Sequence, residues 1–411
     1  MKGTEKTPAL RFHDFDGDWT ASKVADVTTY VDYRGKTPPK SESGVFLVTA
    51  KNVKVGHIDY ECSKEYIPQE LYDEVMRRGR PRLGDVLITT EAPLGNVATI
   101  DRIDVALAQR IIKLRGKENV LSNDFLKHIL LSQSFQKLLN EKSTGSTAKG
   151  IRGSVLHKLP LLFPSMAEQQ KIAAFLSAVD EKIGKLARKR DLLLKYKKGV
   201  MQQVFDQKIR FKDDDGNDFP DWEEKKLGEA TTYIGSGLSL DQESEETGVR
   251  VTRIETISDG RINLDKVGFI KTEEDISRYR LQVGDILFSN INSVSHIGKM
   301  AYVNQEYDLY HGMNLLNIRF DRKSHNSQFF YFLMETFRYK KHFQQICNRA
   351  VSQASINQTD LKKTKLLVPC LEEQSRIASF ISKLDEKINL INQQLEKAKT
   401  FKAGLLEQMF I

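Results

Sequence analysis

Residues 167–183, AEQQKIAAFLSAVDEKI, and residues 372–388, EEQSRIASFISKLDEKI, are near-copies within a chain of 411 residues. Setting Pro164 against Pro369 gives an offset of 205 that holds without a gap from Leu161 onward. It pairs Gln169 with Gln374, Ile172 with Ile377, Phe175 with Phe380, Asp180-Glu181-Lys182-Ile183 with Asp385-Glu386-Lys387-Ile388, and Phe205 with Phe410. Each copy follows a proline, whose fixed φ and missing N–H suit a helix start, and runs on without another. In the first, Ile172, Leu176, Val179, Ile183, Leu186, Leu193, Val200 and Val204 alternate spacings of four and three; the second repeats this with Ile377, Ile381, Leu384, Ile388, Ile391, Leu395, Ala398, Leu405 and Met409. An apolar period of 3.5 keeps one stripe facing a partner helix, which is the pattern of a coiled coil. Arg190, Lys197 and Lys402 interrupt the seam and are expected to lie along it with their charges in water. Because two copies in one chain can cover each other, the expectation is one intramolecular antiparallel coiled coil. The plainer alternative is two separate helices, each packed on its own domain.

The segments around the helices repeat more faintly. RLGDVLIT at 82–89 parallels QVGDILFS at 282–289, VGHID at 55–59 parallels DGRIN at 259–263, and RFHDFDGDW at 11–19 resembles RFKDDDGNDFPDW at 210–222. Short β-branched strands such as Val45–Val48 and Val86–Thr89 alternate with Gly, Pro and Asn turns and lead to an amphipathic helix, one from Asn123 and one from Ser327. The fold class is therefore α/β (α+β): two globular units joined by two long helices, with a pseudo-two-fold internal repeat. The expected boundaries are 1–162 and 208–367 for the globular domains, and 163–207 and 368–411 for the helical spacers. The globular sequences have diverged while the helices have not, as expected if one scaffold presents two different reading surfaces. Two different readers in one chain suit an asymmetric, split DNA site, with the helices as the ruler.

Composition narrows the partners. The net charge is +8, and all of the excess lies in the first half: residues 1–207 carry 34 Lys+Arg against 25 Asp+Glu, leaving 29 against 30 for 208–411. An anionic partner is favoured, with a solvated helix face as the plainer reading of the basic run at 181–198. No stretch has the apolar length of a signal peptide or membrane span, so a cytoplasmic location is expected. Cys62, Cys347 and Cys370 lack metal-ligand spacing and read as reduced thiols.

Enzymatic motifs are missing. RGKTPP at 34–39 lacks the first glycine of a phosphate-binding loop, TPPK at 37–40 is not an amino-methyltransferase motif, and neither HExxH nor GxSxG occurs. PDWEEK at 220–225 crowds its acids together and has no counterpart in the first unit. Polar and basic loops stand out instead. STGSTAKGIRGSV at 143–155 and NRAVSQASINQTD at 348–360 precede the long helices; their backbone N–H groups with Lys149, Arg152 or Arg349 suit phosphate contacts or, more plainly, the loops are hinges, and Gln353 is a further DNA-binding candidate. TTEAPLG at 89–95 and SNINSVSHIG at 289–298 follow predicted strands. Thr89, Thr90 and Glu91 in one, and Ser289, Asn290, Asn292, Ser293 and His296 in the other, have groups able to read base edges, with ordinary turn chemistry as the alternative. RRGRPR at 77–82, with Arg77, Arg78 and Arg80, is the most basic loop and suits a phosphate clamp or a solvated surface; Arg253 completes the DNA-binding candidates.

Pro-x-x-x-Glu-Gln-x-x-Ile-Ala-x-Phe followed by Asp-Glu-Lys-Ile, present twice, together with GDVLITTEAPLGNVA at 84–98, resembles the specificity subunit of type I restriction-modification systems. The resemblance spans essentially the whole chain. It implies two target-recognition domains that read the halves of a bipartite double-stranded DNA site, joined by a coiled coil. It also implies two modification subunits, which use S-adenosylmethionine to methylate adenine N6, and restriction subunits, which use ATP and Mg. No cofactor or metal is then held by this chain, and it is not itself catalytic. Two other readings stay open: a helical docking protein with only nonspecific DNA binding, and a nuclease acting alone.

Overall fold

The computed structural model describes residues 7–33, 38–146, 148–239, 248–294, 296–313, 315–349 and 354–411. The chain forms two compact units: unit 1 comprises residues 1–189 and 391–411, and unit 2 comprises residues 190–390. The long helices are therefore not separate from the globular units, as the sequence boundaries implied. Each contributes one part to each unit, because its apolar stripe completes the cores on both sides of the division.

In unit 1, strands β1 (Thr28–Asp32), β2 (Val86–Thr90), β3 (Leu94–Thr99) and β4 (Ile111–Gly116) form an antiparallel sheet in the order β1-β4-β2-β3. Val86 and Ile88 pack with Phe125, Leu126 and Ile129 of helix α1 (Asn123–Leu131) on one face. Leu87 packs with Val48 and Leu107 on the other. Both faces being covered, the strand reads as an unbroken apolar run. The single helix expected from Asn123 is two, α1 and α2 (Gln133–Glu141). Ser132 makes the break: its hydroxyl donates to Ile129 O at 2.7 Å and accepts from Phe135 N at 3.3 Å, ending one helix and capping the next. Helix α3 (Met166–Phe205) follows, and its Ile172, Ala173 and Leu176 share a cluster with Leu405, Met409 and Phe410.

Unit 2 repeats this plan. Strands β5 (Thr231–Ser236), β6 (Ile286–Phe288), β7 (Met300–Tyr302) and β8 (Leu316–Phe320) stand in the order β5-β8-β6-β7. Helices α4 (Ser327–Met334) and α5 (Phe337–Ile346) again replace one expected helix, and α6 (Leu371–Gln408) closes the fold. Here Val204 and Phe205 cluster with Ile377, Ala378 and Ile381.

Within each unit an early stretch of one long helix meets a late stretch of the other, so the two run antiparallel. The seam lysines correct the sequence reading. Lys402 Nζ lies 2.5 Å from Asp180 Oδ1 in unit 1, and Lys197 Nζ lies 2.5 Å from Asp385 Oδ1 in unit 2. Their charges are paired with the aspartate of each Asp-Glu-Lys-Ile motif and not left to water. Burial opposes the charge on Asp180, yet hydrogen bonds from Lys402 and Lys127 hold its carboxyl below the usual range.

The repeated Glu-Gln serves as an anchor. Glu168, buried, takes two bonds from the Arg11 guanidinium at 2.7 and 2.8 Å; Glu373, also buried, is bound by Arg210 at 2.8 Å and by Trp222 Nε1 at 3.0 Å. Gln169 donates to Pro164 O and Val120 O and accepts from Ser122 N, the residue capping α1; Gln374 donates to Pro369 O and accepts from Asn326 N, the residue capping α4. One dipeptide thus ties each long helix to the start of its unit and to the helix lying on its sheet.

Candidate nucleic-acid interface

In unit 1 the turn after β2 meets the loop before α3. Ile151 N donates to Thr90 O at 2.9 Å, and Glu91 forms an isolated antiparallel bridge with Gly150. In unit 2, Ile291–Asn292 pairs with Ala354–Ser355, which pairs in turn with Asn348–Arg349, and Ile356 N donates to Asn290 O at 2.8 Å. The two polar loops singled out in each unit, far apart in sequence, therefore form one tip at the end of the sheet.

Not every candidate reaches the surface of that tip. Thr89 and Thr90 are 0% and 3% exposed, and Thr89 Oγ1 accepts from Asn96 N at 2.9 Å, so both belong to the sheet. Ser289 and Asn290 are 1% and 8% exposed; Ser289 Oγ accepts from Asn292 Nδ2, and Asn290 Nδ2 donates to Ile356 O. These four are buried and hold the tip together: Thr89 and Thr90 are the last two residues of β2, and Ser289 and Asn290, just past the end of β6, spend their side chains on hydrogen bonds within the tip. Glu91, half-buried, lies 3.6 Å from Arg110 Nε, while Lys149 and Arg152 are exposed beside it. Asn292 is half-buried, and Ser293 and His296 are exposed and joined, Oγ to Nδ1, at 2.8 Å. Arg349 is exposed and donates to Gln344 O at 3.3 Å. Arg253 does not join the tip strands: it precedes the 3-10 turn Ile254–Ile257, which packs on the Leu287 face of the sheet. Gln353 and part of RGKTPP lie outside the described residues.

The basic loop stands apart from the tip in sequence and leads into β2. Arg77, Arg78 and Arg80 are exposed; Arg78 Nη1 donates to Asp32 O at 3.0 Å, and Arg80 Nη2 lies 2.6 Å from Asp73. Fully buried Asp85 fixes the end of this loop, accepting from Arg82 N at 2.8 Å and from Arg115 at 2.6 and 2.8 Å. Asp285 does the same in unit 2 through Gln282 N and Arg319. Beside the loop is a cleft of about 250 Å³ lined by Tyr33, Pro38, Arg77, Arg78 and Gln109; a second, of about 310 Å³, shares Pro38 and Gln109 and adds Lys40, Lys51 and Arg110. Arg110, Lys40 and Lys51 were not among the sequence candidates. Arg110 has a φ of 70° at the turn into β4, and nothing local distinguishes it from other basic loop residues.

Two units of one topology, each carrying a polar tip with its own side chains, define a duplicated recognition protein. A family model described as the type I restriction modification DNA specificity domain matches residues 17–194 and again residues 220–400. The chain belongs to this type I restriction-modification DNA specificity family. A Methanocaldococcus jannaschii protein named as the MjaX specificity subunit of a type I restriction enzyme is 43% identical over 46% of this chain and 45% of its own length. The MjaVIII specificity subunit from the same organism is 24% identical over 93% of this chain and 90% of its own. A crystal structure of the type I restriction-modification S subunit from M. genitalium covers 98% of this chain and 99% of its own, with a TM-score of 0.64 at 16% identity, a likeness of fold. No helix among the described residues is long and apolar enough to cross a membrane.

Proposed function

We propose that this chain is the DNA-specificity subunit of a type I restriction-modification complex. Unit 1 reads one half and unit 2 the other half of an asymmetric, split double-stranded site. The observation that carries this reading is the specificity domain found twice with differently equipped tips: Glu91, Lys149 and Arg152 in one, Asn292, Ser293, His296 and Arg349 in the other. A carboxylate can accept from cytosine N4, amides suit adenine, and cations suit phosphates or guanine. The chain positions the target adenine, which must leave the base stack to be methylated at N6. Two modification subunits perform that methylation with S-adenosylmethionine, and restriction subunits use ATP and Mg; the chain itself is non-catalytic and needs no cofactor.

The test is single-molecule sequencing of N6-methyladenine in cells expressing this chain with its modification subunit, against cells lacking the chain. A chain-dependent split motif with a fixed gap is expected. With expression and partner activity verified, an unchanged methylome would instead favour a helical docking protein with sequence-independent DNA affinity. A specific reader also prefers its site over random DNA by ~10³ or more.

A further inference from the structure

The segment Met76–Asp85 in unit 1 aligns without a gap on Ile276–Asp285 in unit 2. The structure supports the register at each anchor. Met76 and Ile276 are buried, as are Leu281 and its partner Pro81; Gly84 and Gly284 have φ of 80° and 91°; Asp85 and Asp285 bind the backbone N–H three residues back. Two exposed side chains also persist in this otherwise diverged stretch, Arg78 as Arg278 and Arg80 as Arg280. Their neighbours do not: Ser277 stands where unit 1 has Arg77, and Gln282 where it has Arg82. The core does not call for exposed arginines. Their protein contacts lie at the surface: Arg78 Nη1 donates to Asp32 O at 3.0 Å, Arg80 with Asp73 and Arg280 with Asp308 are ion pairs with both partners more than half exposed, and Arg278 lies 4.6 Å over the ring of Tyr279 and donates to its hydroxyl at 2.7 Å. Such surface pairs are weakly held, and a guanidinium with five N–H donors has more to offer than one carboxylate takes up.

We infer that Arg78 with Arg80, and Arg278 with Arg280, are equivalent DNA-phosphate contacts that position each unit on the duplex without reading bases. Persistence in both units is what distinguishes them. Side chains that read bases must differ between units with different half-sites, whereas the phosphate backbone is the same under both. The segment is also held firmly: Lys113 Nζ donates to Arg80 O at 2.9 Å, His311 N donates to Tyr279 O at 2.8 Å, and at its end the buried Asp85 and Asp285 pair with the half-buried Arg115 and Arg319. This inference rests on the proposed DNA-specificity function.

The experiment uses the chain assembled with its modification subunits, carrying Arg78→Ala/Arg80→Ala or Arg278→Ala/Arg280→Ala, with the corresponding Arg→Lys pairs as controls. DNA affinity is measured against salt on a duplex containing the methylated motif and on a scrambled duplex, and the methylome is sequenced. Each Ala pair is expected to weaken binding to both duplexes and to reduce the slope of log K against log salt by roughly 0.9 per lost contact, or ~2 in all. The Lys pairs are expected to retain most of the slope, and the motif to stay the same in every variant. A changed or degenerate half-motif, or an unaltered slope, overturns the inference. So does loss of subunit assembly with normal DNA binding, which would assign these arginines to a protein partner. Should the wild-type complex prefer no site, the proposed function fails, while the change in slope still decides whether these residues touch phosphate.

Discussion

Glu373 has no exposed surface, and its carboxylate is held by Arg210 and Trp222. Removing the guanidinium leaves a buried charge with one indole donor, so Arg210→Ala is expected to cost about 3 kcal/mol of stability in urea unfolding. A loss below about 1 kcal/mol would show that the pair does not anchor the helix. Buried imidazoles make a second residue-level prediction. Burial, with Lys127 nearby, pushes His128 from 6.5 down to about 3, and burial pushes His311 down to about 4. The unfolded chain takes up these protons below pH 6.5 while the folded chain does not, so stability is complete above that pH. It falls as the pH drops toward 4, by up to about 1.4 kcal/mol per unit for each histidine. His128→Gln should flatten unfolding free energy against pH between 6.5 and 5; an unchanged slope would rule out a neutral buried His128. The sequence marked Glu168 and Glu373 as repeated without giving the reason. Arg11 is 157 residues from Glu168, and Arg210 is 163 from Glu373, distances at which spacing rules carry no information.

For the long helices, the 3.5-residue period located the seam, and the proline reading came within two residues of each start, Met166 and Leu371. The delay has a local cause: Ser165 O accepts from Gln169 N, and Cys370 O accepts from Gln374 N, so the residue after each proline begins the hydrogen-bonded turn. The period did not reveal that equivalent positions differ in burial. Ile388 and Ile391 are buried, whereas their counterparts Ile183 and Leu186 are half-buried. Ile388→Asp is therefore expected to cost about 3 kcal/mol and Ile183→Asp markedly less. Equal losses in thermal or urea unfolding would contradict this asymmetry. For Lys197 and Asp385, a double-mutant cycle with Met and Leu should give a coupling of about 0.5–1 kcal/mol, and a value near zero would make the pair incidental. The paired loops of each tip were legible as polar turns. That they meet was not, since a bridge such as Glu91 with Gly150 joins residues no local pattern connects.

For the molecule as a whole, division into two readers predicts separable specificity. Replacing residues 1–160 with those of a relative should change one half of the methylated motif and leave the other intact; changes in both halves would mean that recognition is not partitioned by unit. The repeat itself was plain in the sequence, but the division of the long helices was not, because a continuous apolar stripe has no mark where one core ends and the next begins. That division bears on how the protein is made. Leu405, Met409 and Phe410 complete the core that also holds Trp19 and Phe125, and Leu10 N donates to Gln408 O. On a ribosome adding ~5–20 residues per second, unit 1 must wait for these last side chains until all of unit 2 has been translated. A premature stop codon after residue 395 would therefore damage the domain synthesised first and spare the one synthesised second.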